Sequence, residues 1–360
     1  MCKISLCMIV KNEQATLSRC LESVKGLVDE MIIVDTGSTD STRMIALEYG
    51  ANVIDFEWVD NFAQARNVGL EQATGDWIFI LDADEYIVNP EPNMLREIVS
   101  SSAFSNRDAI GTIQIQSRYL HDGIEMCSND IISRLFPASL RYEGRIHEQL
   151  NSQYYRIETG VAVKHDGYYK TDKSERNLKL LHQTLEESPD DAYYLFQIAR
   201  QYRGCYRLDL AKRYIKQSYY GLKTTDAFKN ECVIEYLYIL LDNNEIDGAI
   251  DIIQEQQTLL SNVPDYHLVC GLIYTRAGML NSESANVYLP LIEQCYIKCL
   301  ALGKKNAREI VTGSSTFIAA YNLGAFYEVK GDRIRAIYNY KRSASYDYAP
   351  AIERLQILNS

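Results

Sequence analysis

No CxxC pair occurs in the 360 residues, which removes the thiol-redox motif and the paired-cysteine zinc spacings. The nine cysteines are an odd number, and free buried thiols in a reducing cytoplasm are the expectation for them. Cys295 and Cys299 stand four apart, on one helix face, with no histidine nearby, and read as core rather than as a metal site. Long apolar runs are also missing. None approaches the ~20 residues that a membrane-spanning helix needs. The opening MCKISLCMIVKNE has too short an apolar run for a signal peptide and no small-residue cleavage site, so it reads as a first strand. Positive charge is scarce: 37 Lys and Arg against 48 Asp and Glu leave a net charge of −11. Of that deficit, residues 1–170 hold −10 and residues 171–360 only −1. Nucleic-acid binding depends on cationic side chains at phosphates, so an acidic first half argues against it. A phosphorylated substrate in that half needs a metal or local arginines.

What is present is ordinary globular material, 47% apolar and 24% charged, with length for two domains. The first half alternates strand and helix. KISLCMIV (3–10), DEMIIVD (29–35), ANVIDFEW (51–58) and DWIFILD (76–82) are strands. Leu17, Leu21 and Val24 mark a helix by their i, i+4, i+7 spacing. STDSTRMIALEYG (38–50) and NFAQARNVGLEQATG (61–75) are the other helices, the former with Ser and Asp for an N-cap and Gly50 at its end. Near-continuous apolar strands between helices imply a parallel sheet covered on both faces. After Asp84 a hairpin follows, AIGTIQIQSRYLHDGIEM, turning at His121-Asp122-Gly123, then strands at IISRLF and GVAVKH, so the sheet is expected to be mixed. From about 171 only helical patterns remain, over 190–220, 230–256, 265–280 and 317–355. The last contains N-L-G-x-x-Y, G-D and A-I-x-x-Y, which resembles the tetratricopeptide repeat. The region 279–316 fits that pattern poorly. The boundaries expected are therefore 1–172 for an α/β domain and 173–360 for an all-α, TPR-like helical domain.

The chemistry is written at the strand ends, where open α/β sheets bind ligands. Strand one runs into Lys11-Asn12-Glu13, strand two into Asp35-Thr36-Gly37-Ser38, and strand four into Asp82-Ala83-Asp84. Polar residues after any one strand are commonplace; three clusters on one sheet edge are not. Asp82, Asp84 and Glu85 crowd three carboxylates at one strand tip, and like charges that close resist ionisation. In a tight turn Asp82 and Asp84 can both reach one cation. Hard oxygen ligands with open positions suit Mn2+ or Mg2+, which then take phosphate oxygens.

The ordered set ISLCMIVKNE, IIVDTGSTDST, F-x-x-AR-N at 62–67, GDWIFILDADE, SRLF and GRIHEQL resembles a family 2 glycosyltransferase of the GT-A fold, over residues 1–170. It looks most like the bacterial branch that carries TPR-like helices, similar to lipopolysaccharide-core glucosyltransferases and bacteriocin S-glycosyltransferases. The resemblance implies a metal-dependent, inverting, cytoplasmic enzyme using a UDP-sugar donor. Asp35 corresponds to the aspartate at the uracil, and its alternative reading is a loop cap. Arg66 corresponds to an arginine near the nucleotide, alternatively an exposed helix residue. Asp82 is similar to the ribose contact and Asp84 to the metal ligand at the diphosphate, with Ala83 between them. Asn12 and Glu13 lie where the family touches base and ribose. His165 matches a late histidine near the metal or diphosphate; the alternative is a structural strand-end histidine. Arg134 would neutralise phosphates or the acceptor region.

For the acceptor side, GRIHEQ stands where the family usually has an acidic pair. Inversion needs one base to take the acceptor proton, and Glu148 or His147 is implied, Glu148 by a small margin. The sugar is glucose or N-acetylglucosamine. The acceptor is a peptide or protein side chain, or a glycan. The helical half binds that polypeptide or pairs two subunits as a homodimer. Two other classes compete. A nucleotidyltransferase needs a Gly-rich phosphate loop, which is missing before Lys11. A non-catalytic nucleotide-sugar-binding adaptor would not require the mutually repelling acidic set.

Overall fold

Strand and helix alternate as far as Ile80. β1 (Ile4–Val10), α1 (Leu17–Val24), β2 (Glu30–Asp35), α2 (Thr42–Glu48), β3 (Asn52–Asp55), α3 (Phe62–Gln72) and β4 (Trp77–Ile80) follow in chain order. Then come β5 (Glu85–Ile87), α4 (Met94–Ser100), β6 (Ala109–His121), β7 (Ile124–Pro137), β8 (Tyr142–Glu143), β9 (Gln149–Leu150), β10 (Tyr155–His165) and α5 (Ser174–Glu187). These come from a computed structural model, which describes residues 2–121, 124–165, 174–280, 285–305 and 309–359. The chain forms two compact units, Met1–Thr184 and Leu185–Ser360, so most of α5 goes with the first.

The sheet of the first unit runs β3-β2-β1-β4-β7-β6-β10-β5. β1 to β4 are mutually parallel where they pair, while β7 joins β4 antiparallel. The alternating side chains of β1 feed two cores. Ile4, Leu6, Met8 and Val10 pack with α1 residues Leu17 and Leu21, and Cys7 packs with Leu70 of α3 on the other face. Period-two alternation with helices on both faces is why these strands read as apolar throughout.

Three expectations about element bounds change. The helix expected from Ser38 begins at Thr42. Residues 36–41 stay in a loop because Asp35 and Asp40 accept from backbone N–H groups of Gly37, Ser38 and Thr42. Short polar side chains that compete for backbone donors in this way hold a segment out of the helix. IISRLF is no separate strand but the end of the 14-residue β7, and GVAVKH is the end of the 11-residue β10. Of the turn expected at 121–123, Asp122 and Gly123 lie outside the described residues.

The second unit is helical: α6 (Ala192–Gly204), α7 (Leu208–Gly221), α8 (Lys229–Asp242), α9 (Ile246–Gln256), α10 (Pro264–Leu280), α11 (Ala285–Gly303), α12 (Phe317–Val329), α13 (Arg333–Ala344) and α14 (Ala349–Asn359). The poorly fitting stretch 279–316 holds α11, a 19-residue helix with Pro290 inside it. Ile292, Cys295, Tyr296, Cys299 and Leu300 bury one face of it, so both cysteines are core. Burial pushes the Cys295 thiol up to about 12, an inert value. All eight described cysteines are free.

Close helix approach explains the glycine of N-L-G-x-x-Y. A Cβ at Gly324 of α12 would stand 2.8 Å from the Tyr340 ring of α13. That ring is held by its hydroxyl, which donates to Glu328 at 2.8 Å. Gly324→Ala would regain about 1 kcal/mol of helix propensity, but overpacking costs about 1–3 kcal/mol. We expect a lowered urea midpoint; a raised one would show that the ring moves aside freely. Among the described residues, no helix is long and apolar enough to cross a membrane.

Candidate active site

The strand-end residues separate into a scaffold and a charged centre. Asn12, at φ +57°, receives Thr39 N–H on Oδ1 at 2.8 Å, and its own N–H goes to Ser38 Oγ. Glu13 donates its N–H to Thr42 Oγ1 at 2.7 Å and accepts from Thr16 on Oε2. Asp35 is buried, and its Oδ1 accepts from Gly37 and Ser38 N–H at 3.0 and 2.7 Å. Asn12 and Asp35 thus tie the ends of β1 and β2 to the 36–41 loop, and Glu13 ties the end of β1 to Thr42 at the start of α2.

The charged centre is built on Arg66 and Arg134, each less than a tenth exposed. Arg66 projects from α3, whose N-cap Asn61 accepts from Gln64 N–H. Its Nε donates to Glu148 Oε1 at 2.6 Å and its Nη2 to Asp82 Oδ1 at 3.0 Å, with the Tyr142 ring 5.7 Å beneath. The other arginine arrives by a backbone irregularity. Gly111 pairs with Leu135 and Thr112 with Ser133, so Arg134 is the extra residue of a bulge in β7. Bulges re-aim side chains. Gly111 is required opposite, because a Cβ there would lie 2.7 Å from Thr159 Cγ2. Arg134 Nη2 then reaches Asp82 Oδ2 and Glu85 Oε1, both at 2.8 Å. Glu148, Arg66, Asp82, Arg134 and Glu85 form one continuous chain of ion pairs.

Asp84 stands apart from that chain. β5 pairs antiparallel with β10, setting Glu85 opposite His165, and β10 pairs with β6, setting His165 opposite Ser117. The result is His165 Nε2 3.2 Å from Asp84 Oδ2, and His165 Nδ1 3.1 Å from Ser117 Oγ. The two aspartates therefore take different partners across the turn, closed by Glu85 N–H to the Asp82 carbonyl at 2.9 Å. Two arginines hold Asp82, and Asp84 faces the histidine. The methyl of Ala83 is packed into the core and leaves only its backbone to a ligand.

The electrostatics follow. Burial alone would raise the Asp82 pKa, but the charges and hydrogen bonds of Arg134 and Arg66 hold it far below the carboxylate range. Glu85 is pushed up to about 7, first by burial and then by Asp82, against Arg134. His165 is lowered by burial, yet the Asp84 hydrogen bond and charge turn its net direction upward. Three carboxylates, Glu148, Asp82 and Glu85, face the two arginines, and a fourth, Asp84, faces His165. Among the described residues no group of three or more His, Cys, Asp or Glu is placed for a metal. Asp84 and His165 nevertheless fit a divalent ion that keeps open positions. His165 Nε2 points to the Asp84 carboxylate and its Nδ1 lies against Ser117 Oγ, an orientation suited to sharing such an ion.

Glu148 gives one oxygen to Arg66 and is mostly buried. His147 beside it has left-handed backbone, φ +52°. Sequence reasoning placed neither Ser117 nor Tyr142 at the site and gave Glu85 no role. Strand register alone brings the first in, and no local pattern marks it.

Residues 5–135 match the glycosyl transferase family 2 profile. A TPR repeat-containing protein of Synechococcus elongatus is 30% identical over 70% of this chain and 65% of its own length. The chain thus covers just under two thirds of that relative. The SPbeta prophage-derived glycosyltransferase SunS of Bacillus subtilis is 25% identical over 80% of this chain and 71% of its own. A solved structure, glucosyl-3-phosphoglycerate synthase from Mycobacterium tuberculosis, aligns over 32% of this chain and 44% of its own, at 26% identity and a TM-score of 0.27. At that score the superposition bears on nothing further.

Proposed function

We propose that this protein, whose residues 5–135 match the glycosyl transferase family 2 profile, is a metal-dependent inverting glycosyltransferase that moves a hexose, glucose or N-acetylglucosamine, from a UDP-sugar to an acceptor in the cytoplasm. The observation that carries the reading is the Asp84–His165 pair, at the end of the sheet and beside two buried arginines. Mn2+ or Mg2+ bound there would neutralise the diphosphate of the leaving nucleotide. Arg66 Nη1 and Arg134 Nε are buried and have no hydrogen-bond partner among the described residues. Buried donors of that kind call for an acceptor, and phosphate oxygens supply one. Asp35, Asn12 and Glu13 would seat the base and ribose on the loop they already brace. Glu148, with Oε1 held by Arg66, would present its other oxygen to the acceptor proton; His147 is the second choice.

The acceptor we favour is a polypeptide side chain rather than a glycan. The helical unit contains a cleft of about 380 Å³ whose lining includes Lys304, Arg335, Arg342 and Tyr338. Arg335 is paired with Asp332 and Glu293, but Lys304 and Arg342 in a chain of net charge −11 suit an acidic peptide. Homodimer formation through the same unit is the other use for it.

The test is UDP release from a panel of UDP-sugars with Mn2+, Mg2+ or EDTA. Metal-dependent release from one sugar is expected. If neither release nor metal-dependent UDP binding is seen, the non-catalytic adaptor becomes the better reading. In the same assay Glu148→Gln should lower turnover about 10²–10⁴-fold, the range for loss of a general base, with donor binding nearly unchanged. Retained turnover would pass the role to His147.

A further inference from the structure

Glu85 is the third carboxylate of the strand tip, and nothing above gives it a task in the reaction. It is 3% exposed, yet it faces two donors from different elements. Its Oε1 accepts from Arg134 Nη2 at 2.8 Å, and its Oε2 accepts from the backbone N–H of Asp82 at 2.9 Å. Its own N–H closes the turn on the Asp82 carbonyl at 2.9 Å. As the first residue of β5 it lies opposite His165 in the sheet. One side chain therefore fixes two things, the turn that separates Asp82 from Asp84 and the guanidinium of the bulged Arg134, while its backbone takes its place in the ladder beside His165. A carboxylate with both oxygens engaged is a rigid support, and supports of this kind set how well a ligand pair holds a metal.

We propose that Glu85 is a positioning residue for the donor site: it orients Asp84 toward the divalent cation and Arg134 toward the diphosphate without touching either. This rests on the donor-site reading given above. It accounts for a buried acid whose repulsion with Asp82 folding alone would avoid. Ala83 and Ile87, two residues to either side, pack in an apolar cluster, so the carboxylate answers to Arg134 and the turn rather than to the core around it.

The test is Mn2+ affinity of the full-length protein, measured by calorimetry or by Mn2+ electron paramagnetic resonance, alone and with saturating UDP. No turnover is required. Wild type should bind Mn2+ with UDP. Glu85→Ala should weaken that binding about 10–100-fold, the usual cost of losing a support behind a metal ligand. Glu85→Gln keeps the shape and one acceptor, and should fall between the two. Gly324→Ala is the control for stability loss as such, and its Mn2+ affinity should equal that of wild type. If Glu85→Ala does not fold, Glu85→Gln carries the test. A folded variant, Ala or Gln, that binds Mn2+–UDP within twofold of wild type overturns the positioning role. Wild type that binds no Mn2+ with or without UDP instead overturns the donor-site reading beneath it, and the two failures are distinct.

Discussion

Asp84→Ala is expected to abolish metal-dependent UDP release while leaving the protein folded. Asp84 makes no ion pair with either arginine, and its recorded partner is His165 Nε2 at 3.2 Å. Asp84 is buried, so removing it loses the contact with His165 and leaves that imidazole without its carboxylate, against some relief of repulsion within the acidic tip; a cost of about 1–3 kcal/mol is expected, too little to unfold the protein. The effect on function is of another size. A divalent ion on Asp84 and His165 alone has few protein ligands to lose. Mn2+ retention should fall to background, and EDTA treatment of wild type should reproduce the mutant. Turnover equal to wild type in Asp84→Ala would end the metal assignment. His165→Gln offers a graded check, since it keeps the fold and removes the nitrogen ligand.

The second large effect is on stability. Arg66 bridges Glu148 and Asp82. In Arg66→Ala two carboxylates lose their shared counter-charge in a site where Glu148 is largely shielded from water. Breaking a buried pair by removing one partner costs about 3–5 kcal/mol, and guanidinium unfolding curves should show a loss of that order. Arg66→Lys keeps the charge but not the fork: one ammonium cannot reproduce the Nε and Nη2 bonds, so it should recover only part. The linkage to pH has a definite sign. Asp82 is depressed in the folded state by the arginines, so its contribution is present above the unfolded carboxylate value of about 3.9 and is lost as pH falls below it. Without Arg66 that acid dependence should flatten. An Arg66→Ala protein within 1 kcal/mol of wild type would mean that water already screens the cluster.

Strand ends were legible in the sequence because apolar runs stop sharply there. Asn12, Asp35, Asp82 and Asp84 read as one edge from the ends of three strands that need no partner information. The helical half was legible from its periodicity, except for α11, where Pro290 and a long apolar stretch obscured the hairpin pattern. Loop chemistry was harder to read. The 38–50 segment has good helix propensity after Thr42, but the short polar side chains before it spend their hydrogen bonds on the loop.

The sequence by itself determined the two-part architecture, the acidic edge and the family resemblance, since each is carried by local pattern and spacing. Only the tertiary structure decided the partners. Arg134 reaches Asp82 because of a bulge opposite Gly111. His165 meets Asp84 because β10 lies between β6 and β5. Ser117, 48 residues away, completes the histidine's bonding. Register between strands distant in the chain is set by core packing and ladder hydrogen bonds, and these are sums over the whole sheet that no short stretch encodes.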